Sequence, residues 1–277
     1  MKPLILCADD YAANAGISRG IVSLARGGRL TATSAMTLTP RWAQDAPALL
    51  ELRDQLDVGL HLDWTSPFAI AAGHGMTLAR MTLRAALGGI SRERARAVIE
   101  RQLDAFEAEW QAPPNHVDGH QHVQQLAGIR DALVETLARR YPNRKPWLRI
   151  SRVGAGQAGI KGRVITALGA AALKRQAQRA GLPCAPELWG VYDFTGGLAR
   201  YAAQLENWLA RAPACAVLMC HPADGRNDAP DAFADIIAPA RRWEFDVLSN
   251  AAFGQALTQY GVTLVRGSAV LRSTRLN

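Results

Sequence analysis

The stretch LILCADDYAANAGISRGIVSLARGG, residues 4–28, decides how the chain begins to fold. Its apolar run Leu4–Ala8 predicts a buried β-strand, and two carboxylates follow at once. Asn14 can cap a helix whose apolar residues recur at spacings of three and four, and Gly27 ends that helix. The stretch therefore predicts a strand, a loop and a helix, which is the repeating unit of parallel α/β folds.

Similar units recur along the rest of the chain. Further strands are predicted at Thr33–Leu38, Asp57–Leu62, His116–His120, Trp147–Ser151, Glu187–Val191, Ala214–Cys220 and Val262–Val265, and helices at Arg41–Arg53, Ser91–Trp110, Ile129–Arg140, Ile165–Arg179, Leu198–Arg211, Pro239–Leu248 and Asn250–Tyr260. The Gly-rich stretch 154–162 is predicted to be an exposed loop. About seven βα units favour a distorted or incomplete (β/α) barrel of TIM-barrel type over an open sheet, with mostly parallel strands inside helices. One domain over residues 1–277 is expected.

The composition limits the class of protein. A chain of 277 residues with 49% hydrophobic content can bury a large core, which excludes collagen, coiled coil and bulk disorder. No apolar run is long enough to span a membrane, and the N-terminus turns acidic too early for a signal peptide. Four cysteines without paired spacing favour a reducing compartment, so a cytoplasmic protein is expected.

The net charge of +8 comes from one segment, Thr136–Pro186, which holds eleven Lys and Arg residues and no acidic residue. The segment lacks interleaved aromatic residues and every recognisable nucleic-acid-binding motif, so nucleic acid is not expected as a partner. A solvated basic face is the simplest interpretation. Contact with an anionic glycolipid or a membrane surface is the alternative.

Ionisable residues lie where several predicted strands end. Asp9-Asp10 follow the first strand, His61 lies near the end of the third, His120 follows Val117, and His221 follows Cys220. The carboxyl ends of parallel strands gather at one end of a barrel, where active sites are found. A helix cap and a salt bridge could account for the two carboxylates, and a lone His61 could be a hydrogen-bonded core residue.

The segment His116-Val117-Asp118-Gly119-His120-Gln121-His122 weighs against those structural explanations. If the strand ran on, alternation would place its three histidines and Asp118 on one face. Imidazole and carboxylate groups form a poor apolar core but suit zinc or a similar divalent ion. His74, between two glycines, is interpreted as an ordinary loop residue.

Four motifs in this order resemble the YdjC-like carbohydrate deacetylases, a family that includes chitooligosaccharide deacetylases and deacetylase-like proteins of hopanoid biosynthesis. They are Ala8-Asp9-Asp10-Tyr11, Val58-Gly59-Leu60-His61-Leu62, His116-Val117-Asp118-Gly119-His120-Gln121-His122-Val123 and Met219-Cys220-His221-Pro222. The resemblance covers Leu4 to about Leu248. The sequence departs from the family pattern at Ala12, Gly119 and Gln124, none of which is an expected ligand or acid–base group.

The resemblance implies a metal-dependent hydrolase that removes an N-acetyl group from an amino sugar, an oligosaccharide or a glycolipid and releases acetate. It implies that Asp10, His61 and His120 hold a divalent ion, Mg²⁺ or Zn²⁺. Asp9 is then expected to be the base and His221 the acid. Arg149, on a predicted strand, is expected to keep Asp9 ionised.

Substrate contacts are less defined. Trp64, Phe68, Trp189 and Tyr192 lie beside predicted strand ends and could stack on a sugar ring, and His122 could contact the substrate as well. Two other functions stay open: a metal-dependent hydrolase of another amide or ester, and a non-catalytic protein that binds metal and sugar. The oligomeric state is open too, a homodimer being one option.

Overall fold

The computed structural model describes residues 1–155, 157, 159–225 and 235–271. Its strands all run parallel and lie in one sheet, and most are completely buried. The strands are β1 (Lys2–Tyr11), β2 (Ala32–Ala35), β3 (Asp57–Leu62), β4 (His116–Gly119), β5 (Trp147–Leu148), β6 (Leu188–Trp189), β7 (Val217–Cys220) and β8 (Val262–Leu264).

The strand order is β5-β4-β3-β2-β1-β7-β6, and β8 pairs with the start of β1. Between β5 and β6, the described residues make two isolated parallel bridges, Leu148 with Cys184 and Val153 with Leu188. The sheet therefore curves into a partly closed barrel, which confirms the incomplete (β/α) barrel expected from the sequence.

The helices surround this sheet. They are α1 (Ala15–Arg26), α2 (Trp42–Leu50), α3 (Pro67–Ala71), α4 (Leu78–Ala86), α5 (Arg92–Trp110), α6 (Ile129–Arg140), α7 (Gly159–Ala167), α8 (Ala170–Arg179), α9 (Gly197–Arg211), α10 (Ala238–Ser249), α11 (Ala251–Gln259) and α12 (Gly267–Val270). The Asn14 side chain caps α1 by accepting a hydrogen bond from the Ile17 N–H at 2.8 Å, as predicted. Helices α3 and α4, between β3 and α5, were not predicted from the sequence. The helix predicted at Ile165–Arg179 is two helices, and the first of them begins at Gly159, inside the predicted Gly-rich loop.

Close packing between β3 and β4 requires Gly59. A Cβ at Gly59 would lie 2.4 Å from ring atoms of His116, far inside van der Waals contact. The His116 ring in turn stacks on Trp147, with ring centroids 4.3 Å apart. His116 is therefore completely buried between neighbouring strands, away from the cavity that holds the other motif histidines.

The alternation predicted for His116–His122 is wrong beyond Gly119. The strand ends there, and a 3-10 turn follows at His120–Gln125. Gln121 and His122 have φ angles of 53° and 63°, in the left-handed region that side chains seldom adopt. The turn separates His120 from His122, so the four polar side chains do not share one strand face.

The basic segment is not one solvated face. Arg149 is buried within the barrel, and Arg139 and Arg140 form ion pairs with acidic residues of α5. Exposed cations remain on α7 and α8. Within the described parts of the chain, no helix combines the length and the apolar character that crossing a membrane requires.

Candidate metal centre

An irregularity at the end of β1 brings two consecutive carboxylates to one cavity. Side chains alternate along a regular strand, so Asp9 and Asp10 would normally point to opposite faces. The register of β1 against β2 shifts between Ala8 and Tyr11, and Asp10 has a φ of 67°. Both carboxylates consequently line the cavity at the carboxyl end of the sheet.

Asp10, His61 and His120 converge beside this cavity, with one donor atom of each lying within 4.8 Å of the others. The Oδ1 atom of Asp10 lies 3.4 Å from Nε2 of His61 and 3.1 Å from Nδ1 of His120. Three segments supply these groups: β1, β3 and the turn after β4. Two imidazoles and one carboxylate that border an open cavity fit a divalent cation with room for further ligands.

Asp118 fixes the orientation of His61. The Nδ1 atom of His61 lies 2.6 Å from Oδ1 of Asp118, which directs Nε2 towards Asp10. The Ser34 hydroxyl donates to the other oxygen of Asp118 at 2.5 Å, and Nη1 of Arg149 lies 3.1 Å from it. A buried carboxylate that holds a ligating histidine in this way is a common support of metal sites.

The electrostatics favour a cation at this position. Burial opposes ionisation of Asp10, but Arg241 and hydrogen bonds from His120 and His61 hold its pKa well below the usual range. Burial also disfavours the charged form of His61, yet Asp118, Asp9 and Asp10 raise its pKa to about 10. Both groups are thus favoured in their charged forms, Asp10 as a carboxylate and His61 as a cation.

Asp9 lies beside the ligand group in a two-point ion pair with Arg149. Nη1 and Nη2 of Arg149 donate to the two Asp9 oxygens at 2.5 and 2.7 Å. Arg149 is completely buried and also lies 3.1 Å from Asp118. Its positive charge therefore pairs with both carboxylates away from solvent. The two hydrogen bonds fix the orientation of the Asp9 carboxylate; that Arg149 keeps Asp9 ionised stays a prediction.

His221 faces Asp9 from the end of β7. Its Nε2 atom lies 3.8 Å from Oδ2 of Asp9, and its Nδ1 atom lies 3.8 Å from Oε1 of Glu244. Glu244 is completely buried and accepts hydrogen bonds from the His221 backbone N–H and from the Tyr192 hydroxyl, the latter at 2.7 Å. Arg241, one turn earlier on α10, donates to the His221 carbonyl at 3.3 Å and to Asp10 at 2.6 Å.

The cavity has a volume of about 610 Å³. It is lined by the three proposed ligands and also by Asp9, His221 and His122. The Nδ1 atom of His122 lies 3.0 Å from the Ser151 hydroxyl oxygen. Trp64 and Tyr192 are not among its lining residues: both are buried, Trp64 beside a separate cavity and Tyr192 in the hydrogen bond to Glu244. Phe194, which the sequence interpretation did not select, does line it, with its ring centroid 5.3 Å from that of His221.

A second group of donors, Cys7, His116 and Asp118, lies behind the first. All three side chains are completely buried and none lines the cavity, so neither solvent nor substrate reaches them. The open group around Asp10 is therefore the better candidate for a metal centre, because a hydrolytic ion needs a position accessible to water.

Arg241 and Glu244 were not found from the sequence. One signal was available: both lie on the buried face of α10, which they share with Ala240 and Leu248. Charged residues at apolar positions of an amphipathic helix must be paired, which points to a partner site in the core. Asp118 was noted as a carboxylate, but its contact with His61 depends on the pairing of β3 with β4.

The chain is a parallel, partly closed barrel whose strand ends carry two histidines, two carboxylates and an opposing histidine. These features define a class of protein: a (β/α) barrel with a candidate metal centre of the hydrolytic type. Within that class, the chain belongs to the family described as YdjC-like protein, which matches residues 3–259.

Its relatives are named for sugar deacetylation. The mouse carbohydrate deacetylase is 30% identical over 146 residues, which cover 48% of this chain and 46% of that protein, or about half its length. The chitooligosaccharide deacetylase of Klebsiella pneumoniae (strain 342) is 28% identical over 279 residues, which cover 95% of this chain and 97% of that protein. A crystal structure from Enterococcus faecalis V583, of a candidate cellobiose-phosphate cleavage protein, is similar in fold, with a TM-score of 0.71, 18% identity and coverage of 98% and 99%.

Proposed function

We propose that this protein is a metal-dependent hydrolase that removes the N-acetyl group of an amino sugar and releases acetate. The observation that carries the proposal is the convergence of Asp10, His61 and His120 beside Asp9 and His221 at one cavity. The chain is similar to a chitooligosaccharide deacetylase over 95% of its own length and 97% of that protein, and this similarity supports the choice of substrate class.

Asp10, His61 and His120 would hold the ion. When bound, a divalent metal polarises the acetyl carbonyl and makes water available as a nucleophile near neutral pH. We propose Mg²⁺ or Zn²⁺, and the two imidazole donors support Zn²⁺ because imidazole suits zinc better than magnesium. Elemental analysis of the purified protein tests this choice.

The remaining groups handle protons. Asp9, oriented by Arg149, would take the proton from the attacking water. His221, placed by Glu244 on the other side of Asp9, would donate a proton to the departing amine, so that a free amino sugar leaves instead of an amide anion. The two groups therefore serve opposite ends of the same bond cleavage.

We also propose a cytoplasmic location. Cys7, Cys184, Cys215 and Cys220 are all free thiols, which supports a reducing compartment.

Acetate release from N-acetylglucosamine oligomers tests the function. We expect turnover with the native protein, and a loss of about 10²- to 10⁴-fold in kcat for His221→Ala and Asp9→Asn, because each removes one proton-transfer group. Asparagine can still accept a hydrogen bond from Arg149, so Asp9→Asn should keep the fold. The matched control is Asp193→Asn, an exposed carboxylate outside the cavity lining.

Three results would contradict the proposal. Full turnover by either variant with metal bound would overturn the assigned roles. Release of acetate from O-acetyl esters but not from N-acetyl sugars would indicate hydrolysis of another bond on the same scaffold. Binding of metal and sugar without any acetate would indicate a non-catalytic protein.

A further inference from the structure

His122 lies in the cavity without a part in the proposed proton transfers. It belongs to the turn after β4, lines the cavity beside the proposed ligands and has a left-handed φ of 63°. Backbone conformations of this kind persist where neighbouring interactions hold them, and they are frequent at active sites. The contact between Nδ1 of His122 and the Ser151 hydroxyl, at 3.0 Å, is such an interaction. The direction of that hydrogen bond decides what His122 can do in the cavity.

Gln124 determines this direction. Its side chain is completely buried, and its Nε2 atom lies 3.1 Å from the Arg149 carbonyl oxygen and 3.0 Å from the Ser151 hydroxyl oxygen. A carbonyl oxygen can only accept, so the amide nitrogen of Gln124 must face Arg149. The same nitrogen donates its second hydrogen to Ser151, whose oxygen is therefore the acceptor in that contact.

The hydroxyl hydrogen of Ser151 is then directed to His122. Ser151 is completely buried, so its hydrogen needs an acceptor inside the protein. Among the described residues, its hydroxyl has side-chain contacts with Gln124 and His122 alone, and Gln124 is the donor in the first. The hydroxyl consequently donates to Nδ1 of His122. An imidazole that accepts at Nδ1 carries its proton at Nε2.

This Nε2–H group is left for the cavity. Within the part of the chain that the structure describes, Nε2 of His122 has no hydrogen-bond partner, but it is not enclosed as the unpartnered Nδ1 of His116 is. A donor that opens into a binding cavity can be satisfied by an acceptor on the ligand.

Gly119 provides the space that this arrangement needs. A Cβ at Gly119 would lie 2.9 Å from Oε1 of Gln124. Both residues are positions at which the sequence departs from the family pattern, and the structure places them against each other. The small residue at 119 and the amide at 124 are therefore matched in this chain.

We propose that Ser151 and Gln124 hold His122 as a donor, so that its Nε2–H binds an oxygen of the substrate. That oxygen belongs either to the acetyl group or to a sugar hydroxyl, which kinetics can distinguish. Ser151 and Gln124 are positioning residues that act through His122. The inference rests on the proposed deacetylase function for the identity of the substrate, whereas the position of the proton is a property of the free protein.

The position of the proton can be measured without substrate. Two-bond ¹H–¹⁵N correlation spectra of protein labelled with ¹⁵N-histidine distinguish the tautomers, and His122→Phe identifies the signals of His122 among those of the six histidines. We expect the Nε2–H tautomer with chelator and with Zn²⁺. Ser151→Ala should let the proton exchange between the two nitrogens, and the control Ser23→Ala, at an exposed position of α1, should not. A proton at Nδ1 in the native protein would overturn the inference.

Kinetics test the contact with the substrate. His122→Phe keeps a ring but has no N–H, so kcat/KM for N-acetylglucosamine oligomers should fall about 10-fold or more, with Zn²⁺ affinity unchanged. His122→Gln, whose amide carries an N–H, should recover part of the loss. A fall in kcat alone assigns the bond to the acetyl oxygen, where charge develops during the reaction, and an increase in KM alone assigns it to a sugar hydroxyl.

Unchanged kinetics in His122→Phe would overturn the inference, as would weaker Zn²⁺ binding, which would make His122 a metal ligand instead. The proposed function fails separately, if the native metal-loaded protein releases no acetate. Calorimetric titration with the same oligomers then decides the role of His122. Weaker binding by His122→Phe supports it, and equal binding by both proteins, or none by the native protein, overturns it.

Discussion

Asp118 shows how one completely buried residue can set the properties of a site that it does not line. It holds Nδ1 of His61, accepts from Ser34 and faces Arg149, so all its interactions are satisfied without solvent. The consequence for His61 is twofold. The ring has a fixed orientation, and Nε2 is the nitrogen left to face Asp10.

We expect Asp118→Asn to weaken metal binding about 10- to 100-fold, because the amide carries no charge and can hold the other tautomer of His61. Competition against a chelator of known affinity measures the change. Asp193→Asn, which removes an exposed carboxylate outside the cavity lining, serves as the control and should bind metal like the native protein. Unchanged affinity in Asp118→Asn would show that Asp118 has no role in holding the ligand.

Metal binding should also depend on pH. The neighbouring carboxylates raise the pKa of His61 to about 10 against the opposing effect of burial, and a metal at Nε2 must displace the proton. Below that pKa, each unit increase in pH should strengthen apparent binding about tenfold, and weaker binding is expected as the pH falls. Titrations between about pH 6 and 9 measure the slope. Asp118→Asn should flatten it at the upper end, since His61 loses the carboxylate that most favours its charged form.

At the scale of elements, α10 joins the two halves of the site. Arg241 contacts Asp10 on the metal side and the His221 carbonyl on the other, and Glu244 holds His221 from one turn further along. The helix therefore holds the proposed acid, His221, and the proposed metal ligand, Asp10, in a fixed arrangement.

Arg241→Met should destabilise the metal-free protein by about 3–5 kcal/mol, because the buried Asp10 carboxylate loses its charged partner. Added metal should recover much of this loss, since a cation beside Asp10 replaces the guanidinium charge. Urea unfolding with chelator and with excess metal measures both effects. Arg242→Met, at the exposed next position of α10, is the control and should behave as the native protein under both conditions. A loss of stability that metal does not reduce would contradict this account.

The sequence could predict most elements of this fold, for a physical reason. The strands are buried on both faces and so read as short apolar runs, and their ends carry the polar residues that the barrel brings together. The positions of Asp10, His61 and His120 at strand ends could be predicted in this way. The turn after Gly119 could not be predicted, because neither Gln121 nor His122 is a residue type that indicates left-handed backbone angles. The contacts of Arg241 and Glu244 could not be predicted either, because they depend on where α10 packs.

At the scale of the whole molecule, the metal centre would connect distant parts of the chain. Asp10 and His120 are separated by 110 positions in the sequence, and His61 lies on β3. An ion that binds the folded chain and not the unfolded chain stabilises the fold by mass action. Here the ion would also link β1, β3 and the turn after β4 at the carboxyl end of the sheet.

Chelation should therefore lower the melting temperature of the entire protein. At a free metal concentration of about 1,000 times Kd, binding contributes about 4 kcal/mol, which corresponds to an increase of about 8 °C in Tm for a domain of this size. Calorimetric scans with excess metal and with chelator measure the difference. A His61→Ala/His120→Ala variant should show almost none, because one carboxylate cannot hold the ion alone. If that variant kept the full metal-dependent shift, the stabilising ion would bind elsewhere, and the assignment of these three residues as its ligands would be wrong.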